Sequence, residues 1–319
     1  MDLTDNTDIA VRRQALLNSS ITHALYHIGD RWTLSLLFLA FLGTKRFDDF
    51  QVKLGIPRQT LSLRLKNLVA LEMFETHQYQ DNPPRTEYRL GSKGLAMYPC
   101  VLMSWRWEKR WGWPRPTFPD RLTHRVCGYE MTPMMVCSHC GVEVSVEDVK
   151  PHYCGEAVTT ASPGARAPRW GAQALSNKAG GAVSENLIEL LNDRWIILLL
   201  GAVMLGCHSF DTLQQILGIG SSVLASRLKM LSNTGLLTRS VSQSDARRFV
   251  YRLTPRSRDL FSYIVTLGQW SRDNLPDCPT SLRLTHISCG SLLEAKVVCD
   301  RCRAPLLPHD VNYRIQTSA

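Results

Sequence analysis

The chain has 319 residues, more than a usual single domain, and 44% of them are hydrophobic, the share found in soluble globular proteins. Its 37 basic against 28 acidic residues leave a formal charge of +9, a surplus that suits a polyanionic partner without demanding one. The longest apolar runs, 34–42 and 196–206, are well short of the roughly 20 residues that cross a bilayer, and the first residues lack the apolar core of a secretory signal, so a cytoplasmic protein is expected.

Ten cysteines in a chain of this size without an export signal point to thiols or metal rather than to disulfides. Residues 12–26 are helix-compatible, and the pattern runs on through His27, Gly29, Asp30 and Trp32 into the apolar stretch that Gly43-Thr44-Lys45 ends. A short amphipathic segment, 47–54, then enters the tight turn Gly55-Ile56-Pro57 and a second helical pattern, which is the layout of a helix-turn-helix. In that second helix Leu61, Leu65 and Leu68 fall on one side at about 100° per residue, leaving Gln59, Ser62 and Lys66 on or near the other. After Met73 the stretch ETHQYQDNPPRTEYRL reads as two strands around a polar turn, a wing. A helical segment follows and ends in Trp105, Trp107, Trp111 and Trp113, which are expected to pack at a helix or subunit interface.

The plan is then repeated. Asp30, Arg31, Trp32, Gly43, Phe47, Gly55, Ile56, Leu61, Arg64, Leu65, Lys66 and Leu68 recur at one constant offset from Asp193 onward. The groove side of the second copy carries Ser222, Ala225 and Lys229, with Ser226 beside the alanine and Arg227, Arg247 and Arg248 on the flanks. Between the copies, 155–182 is rich in Ala, Gly, Ser and Pro and reads as a flexible interdomain linker.

The DRW before an apolar helix, the RF-x-x-F into the turn, LSLRLKNL and NPPRTEYRL followed by Gly94 together resemble the HxlR-type family of bacterial winged helix-turn-helix regulators. The likeness covers about 19–107 and, more weakly, 182–270. It implies a recognition helix in the major groove, a wing on the backbone and pairing through terminal helices. The second copy departs from the pattern, with Ala246-Arg247 in place of the Pro-Pro of the wing. Where some members of that family carry a sensing cysteine, this chain has Ser19 and Ala182, so thiol sensing of that kind is not expected.

After each winged unit comes a second repeat that the family pattern does not explain: His124-x2-Cys127-x9-Cys137-x2-Cys140, and His286-x2-Cys289-x9-Cys299-x2-Cys302. Paired ligands two residues apart suit the closed tetrahedral N/S set of structural zinc, so each module is expected to be a small zinc ribbon, with two structural zinc ions per chain. With all four positions filled by protein, no coordination site is left for catalysis, and no phosphate loop, Ser-His-Asp set or carboxylate pair offers a substitute.

The expected fold is therefore mainly α with small β-hairpin wings (α+β): a first winged helix-turn-helix domain (1–120), a zinc-ribbon-like module (121–154), the linker, a second winged domain (183–280) and a second module (281–319). The expected function is that of a sequence-specific regulator on double-stranded DNA, acting as a pseudo-dimer within one chain, or as a homodimer if domains exchange between chains. Gln59, Ser62 and Lys66 would read bases while Arg58, Arg64 and Arg85 hold phosphates. Two rivals are a protein-interaction adaptor that has lost DNA binding, and a zinc- or redox-responsive switch.

Overall fold

The computed structural model describes residues 6–30, 32–82, 84–112, 119–154, 191, 193–242 and 247–315. The linker, Trp113, Ala182 and Ala246 lie outside them.

The first helical stretch is three helices rather than one: α1 (Asn6–Leu17), α2 (Ser20–Ile28) and α3 (Thr33–Phe41). Both breaks have a chemical cause. Ser19 sits in extended backbone, where its hydroxyl donates to the Leu16 carbonyl at 2.7 Å and accepts from the Thr22 N–H at 3.3 Å, capping α2. Asp30 accepts from the N–H groups of Trp32 and Thr33 and from the Thr33 hydroxyl, so its carboxylate satisfies the start of α3.

The helix-turn-helix follows as α4 (Phe47–Leu54) and α5 (Arg58–Ala70). Gly55 joins them at φ 61°, a left-handed conformation that a Cβ would strain, and its N–H closes on the Gln51 carbonyl at 2.9 Å. The wing is an antiparallel hairpin, β1 (Phe74–Asp81) with β2 (Pro84–Leu90), and a short α6 (Ser92–Leu95) leads into α7 (Tyr98–Trp111). Beyond it lie β3 (Pro119–His124), β4 (Glu130–Met131), β5 (Pro133–Cys137) and β6 (Val149–Tyr153).

The second half repeats this order. It has α8 (Arg194–Met204), α9 (Phe210–Leu217), α10 (Ser221–Asn233), the wing β7 (Leu237–Val241) with β8 (Phe249–Leu253), α11 (Pro255–Arg258) and α12 (Phe261–Asn274). It closes with β9 (Leu282–His286), β10 (Ala295–Cys299) and β11 (Val311–Ile315).

The two halves are packed against each other by helices, of which α7 and α12 are equivalent elements of the repeat. α2 lies on α12, α7 on α12 and α1 on α9. The Trp107 Nε1–H donates to the Arg256 carbonyl at 2.7 Å, and its equivalent, Trp270, donates to the Lys93 carbonyl at 2.9 Å. Lys93 and Arg256 are themselves equivalent positions, so one bond is made in both directions about a pseudo-twofold axis. Trp105 is buried as well and donates to the Pro119 carbonyl, which gives these rings the packing role expected of them. Where α2 crosses α12 the contact needs a glycine: a Cβ on Gly268 would lie 2.9 Å from Ser20 Oγ and 3.0 Å from Ile21 Cγ1.

The strands after the winged units do not form two separate ribbons. β5 pairs with β10, β3 with β11 and β6 with β9, all antiparallel and all between halves; among the described strands of these modules, β3 and β4 alone pair within a half. At the centre of the β5–β10 pair, Met135 stands opposite Val297, its own equivalent in the repeat. The architecture is mixed α and β, with the cysteine modules interleaved rather than independent.

Candidate nucleic-acid interface and metal centres

The buried side of each recognition helix is its leucine stripe. Leu61, Leu65 and Leu68 are buried in α5, as are Leu224, Leu228 and Leu231 in α10. The opposite edge of α5 exposes Arg58, Gln59, Ser62 and Lys66, and that of α10 exposes Ser222, Ala225, Ser226 and Lys229. Arg58 lies over the Phe47 ring and 3.5 Å from Asp48, in a pair so exposed that water screens most of its attraction. Arg85 is exposed near the tip of the first wing, paired in register with Gln80, and Arg247 and Arg248 are exposed beside the second.

Arg64 and Arg227, expected on phosphates, are instead engaged inside the fold. Arg64 Nη1 is 3.4 Å from Asp30 Oδ2, with the carboxylate side chain only 5% exposed, and Arg227 Nε is 2.5 Å from Asp193 Oδ2. The two pairs are equivalent, and they explain why DRW recurs: its aspartate caps one helix and anchors the recognition helix two elements later. A guanidinium held by a buried carboxylate is poorly placed to leave it for a phosphate.

Cations that the sequence reading missed lie around the wings. Arg46 stands over the Tyr79 ring of the first wing, and Arg239 over the Phe249 ring of the second. Both are alternating strand positions or strand entries, a weak signal against a background of scattered arginines.

All eight predicted metal ligands are brought together, but not in the predicted sets. One cluster is His124, Cys127, Cys299 and Cys302; the other is Cys137, Cys140, His286 and Cys289, and within each set the ligand atoms all lie within 4.8 Å of one another. Each module therefore supplies its His-x2-Cys pair to one centre and its Cys-x2-Cys pair to the other, which corrects the expectation of two locally closed ribbons.

The reason lies in strand length. In the first module β5 begins at Pro133, beyond the His124–Cys127 turn and the short β4, and ends at Cys137, so its five extended residues span about 14 Å from one end to the other. The two ligand pairs of one module thus sit at opposite ends of its own strand. Antiparallel pairing places Cys299 opposite Pro133 and Ala295 opposite Cys137, so each end receives the other half's pair.

The geometry within the clusters is uniform. Cys127 Sγ is 3.9 Å from Cys299 Sγ, and Cys137 Sγ is 3.9 Å from Cys289 Sγ. His124 Nδ1 is 3.5 Å from Cys127 Sγ and 3.3 Å from Cys302 Sγ; His286 Nδ1 is 3.3 Å from Cys289 Sγ and 3.4 Å from Cys140 Sγ. The imidazoles and the thiols of Cys137 and Cys299 are fully buried. The Cys289 thiol is pushed down to about 6, first by the N–H of Ser291, and Cys302 is lowered first by the N–H of Ala304, whereas Cys140 is raised and burial raises Cys299. A thiolate is the form that binds metal. The four remaining cysteines are in neither cluster, and burial pushes Cys100 up to about 12.

The family model for the HxlR-like helix-turn-helix matches residues 27–115 and again 190–278, together more than half of the chain. The chain belongs to the HxlR-like helix-turn-helix family. Among its relatives are the HTH-type transcriptional regulator MT3179 of Mycobacterium tuberculosis, 40% identical over 133 residues, which is 41% of this chain and 84% of that protein. The HTH-type transcriptional regulator YybR of Bacillus subtilis is 32% identical over 81 residues, 25% of this chain and 65% of the relative. YtfH of Escherichia coli, also an HTH-type transcriptional regulator, is 30% identical over 95 residues, 30% of this chain and 75% of the relative. Among the described residues, no helix is long and apolar enough to cross a membrane.

Proposed function

We propose that this protein is a sequence-specific, DNA-binding transcriptional regulator in which one chain presents two unlike winged helix units as a pseudo-dimer, with two structural zinc ions. The observation that carries the reading is the doubled recognition helix: each packs its leucine stripe inward and turns a polar edge outward, and the equivalent helices α7 and α12 meet with reciprocal bonds from Trp107 and Trp270. In the first unit Gln59, Ser62 and Lys66 reach base edges, while Arg58 and Arg85 hold phosphates. In the second, Ser222, Ser226 and Lys229 face the groove, with Arg247 and Arg248 on the backbone. Arg64 and Arg227 act indirectly, by fixing the helices that carry these contacts.

Two helices related by a twofold axis address successive major grooves when they stand about 34 Å apart along the duplex. The match to MT3179 takes up 84% of that protein but 41% of this chain, and on this reading the second unit supplies within one polypeptide the second recognition helix of the pair. Binding of the full chain to a selected duplex, followed across salt concentrations, tests the proposal. Phosphate contacts impose a steep, linear fall of log affinity with log salt. A chain that bound no duplex at any salt would point instead to a protein-interaction adaptor.

A further inference from the structure

We infer that the two zinc ions are reciprocal fasteners: each is held by two ligands from either half of the chain, so that metal, rather than the linker, sets the arrangement of the two winged units. The inference rests on the zinc reading above and goes past it in saying which ligands share an ion and what the ion joins.

The distances fit a tetrahedral centre. With zinc–sulfur bonds of about 2.3 Å and zinc–nitrogen bonds of about 2.05 Å, tetrahedral angles put sulfurs about 3.8 Å apart and a sulfur about 3.6 Å from the nitrogen. The observed separations are 3.9 Å between thiols and 3.3 to 3.5 Å between thiol and Nδ1. Sulfurs at 3.9 Å are far beyond the roughly 2.05 Å of a disulfide, and a disulfide would leave the histidine and the third thiol of each set without a role.

Crossing is built into the backbone as well as the side chains. The Arg125 N–H donates to the Asp310 carbonyl at 2.7 Å, and the equivalent Ile287 N–H donates to the Asp148 carbonyl at 2.8 Å. Thus the turn holding each His-x2-Cys pair is tied to the loop that follows the other half's Cys-x2-Cys pair. Local closure would require β5 and β10 to separate and the chain to fold back along its own strand. Each ion therefore clamps the joint from one end, and the loss of either one loosens the same joint.

The pairing of ligands is read directly from the full-length chain, purified without added metal and then stripped of part of its zinc. Exposed thiols are alkylated, and molecules retaining one ion are sequenced intact by mass spectrometry. The inference expects alkylation in two alternative sets: Cys127, Cys299 and Cys302, or Cys137, Cys140 and Cys289. The sets Cys127, Cys137 and Cys140, or Cys289, Cys299 and Cys302, would overturn it. Variants give a second readout: Cys127→Ala with Cys299→Ala should keep one zinc of two, whereas Cys127→Ala with Cys137→Ala should keep none. Local closure gives the reverse pattern. Native protein containing no zinc at all would remove the zinc reading itself, a different failure from either pattern.

Discussion

In the winged repeats the ion pair that fixes each recognition helix is made within its own unit. Asp30 meets Arg64, Asp193 meets Arg227, and each recognition helix buries its leucines against its own neighbours. In the cysteine repeats neither module gathers its own four residues, and apart from β3 with β4 the strands pair with those of the other half. One duplication thus has two outcomes in the same chain. The difference follows from where the partners lie. An aspartate before one helix and an arginine on a helix two elements later meet across a compact bundle. Two ligand pairs at opposite ends of one five-residue strand cannot meet, and a second copy of the strand, running antiparallel, is the shortest way to bring a matching pair to each end.

If the cysteine modules carry the joint, the largest effect should come from removing metal. Stripping both zinc ions with a strong chelator is expected to lower Tm by about 10 °C or more, since structural zinc contributes its binding free energy to folding. Differential scanning calorimetry before and after re-addition of zinc checks this; an unchanged Tm would mean that the clusters are not metal centres.

Next come the buried leucines and the Asp30–Arg64 pair that hold the recognition helices. Leu65→Ala and Leu228→Ala each empty a fully packed site in one recognition helix and should each cost about 2–5 kcal/mol. Asp30→Ala leaves Arg64 without its carboxylate and the start of α3 without its cap, for about 2–4 kcal/mol. Denaturant unfolding measures all three. Because none of the three residues belongs to either ligand set, zinc content should stay at two per chain; loss of metal in any of them would erase the distinction between the winged units and the shared modules.

A smaller effect is expected at the wing. Arg85→Ala should weaken binding to all duplexes about equally and reduce the salt slope by roughly one. A changed base preference would show that the wing reads sequence.

Much of this was legible in the residues. The doubled helix-turn-helix, both wings, the eight histidine and cysteine residues that gather into two clusters and the packing role of Trp105, Trp107 and Trp111 follow from spacing and periodicity, because each is a property of a few neighbouring residues. Three features were not. Splitting of the first helical stretch depends on Ser19 and Asp30 acting as caps, and a serine or aspartate within a periodic run looks the same whether it caps or merely faces water. The inward turn of Arg64 depends on a carboxylate more than thirty positions away. The crossed metal sets are the clearest case: two identical half-motifs can be joined locally or reciprocally with the same sequence, and only the direction and length of the strands between them decides.

On the proposed reading one chain offers DNA two unlike recognition helices, Gln59-Thr60-Leu61-Ser62 in one unit and Ser222-Val223-Leu224-Ala225 in the other, as a single twofold-related pair. Selection of binding sites from random duplex DNA by the full-length, zinc-loaded chain measures this most directly. The account predicts enriched sites made of two dissimilar half-sites about one helical turn apart. Recovery of strict palindromes would contradict it, because a perfect palindrome is read by two identical helices, and those can come only from two chains.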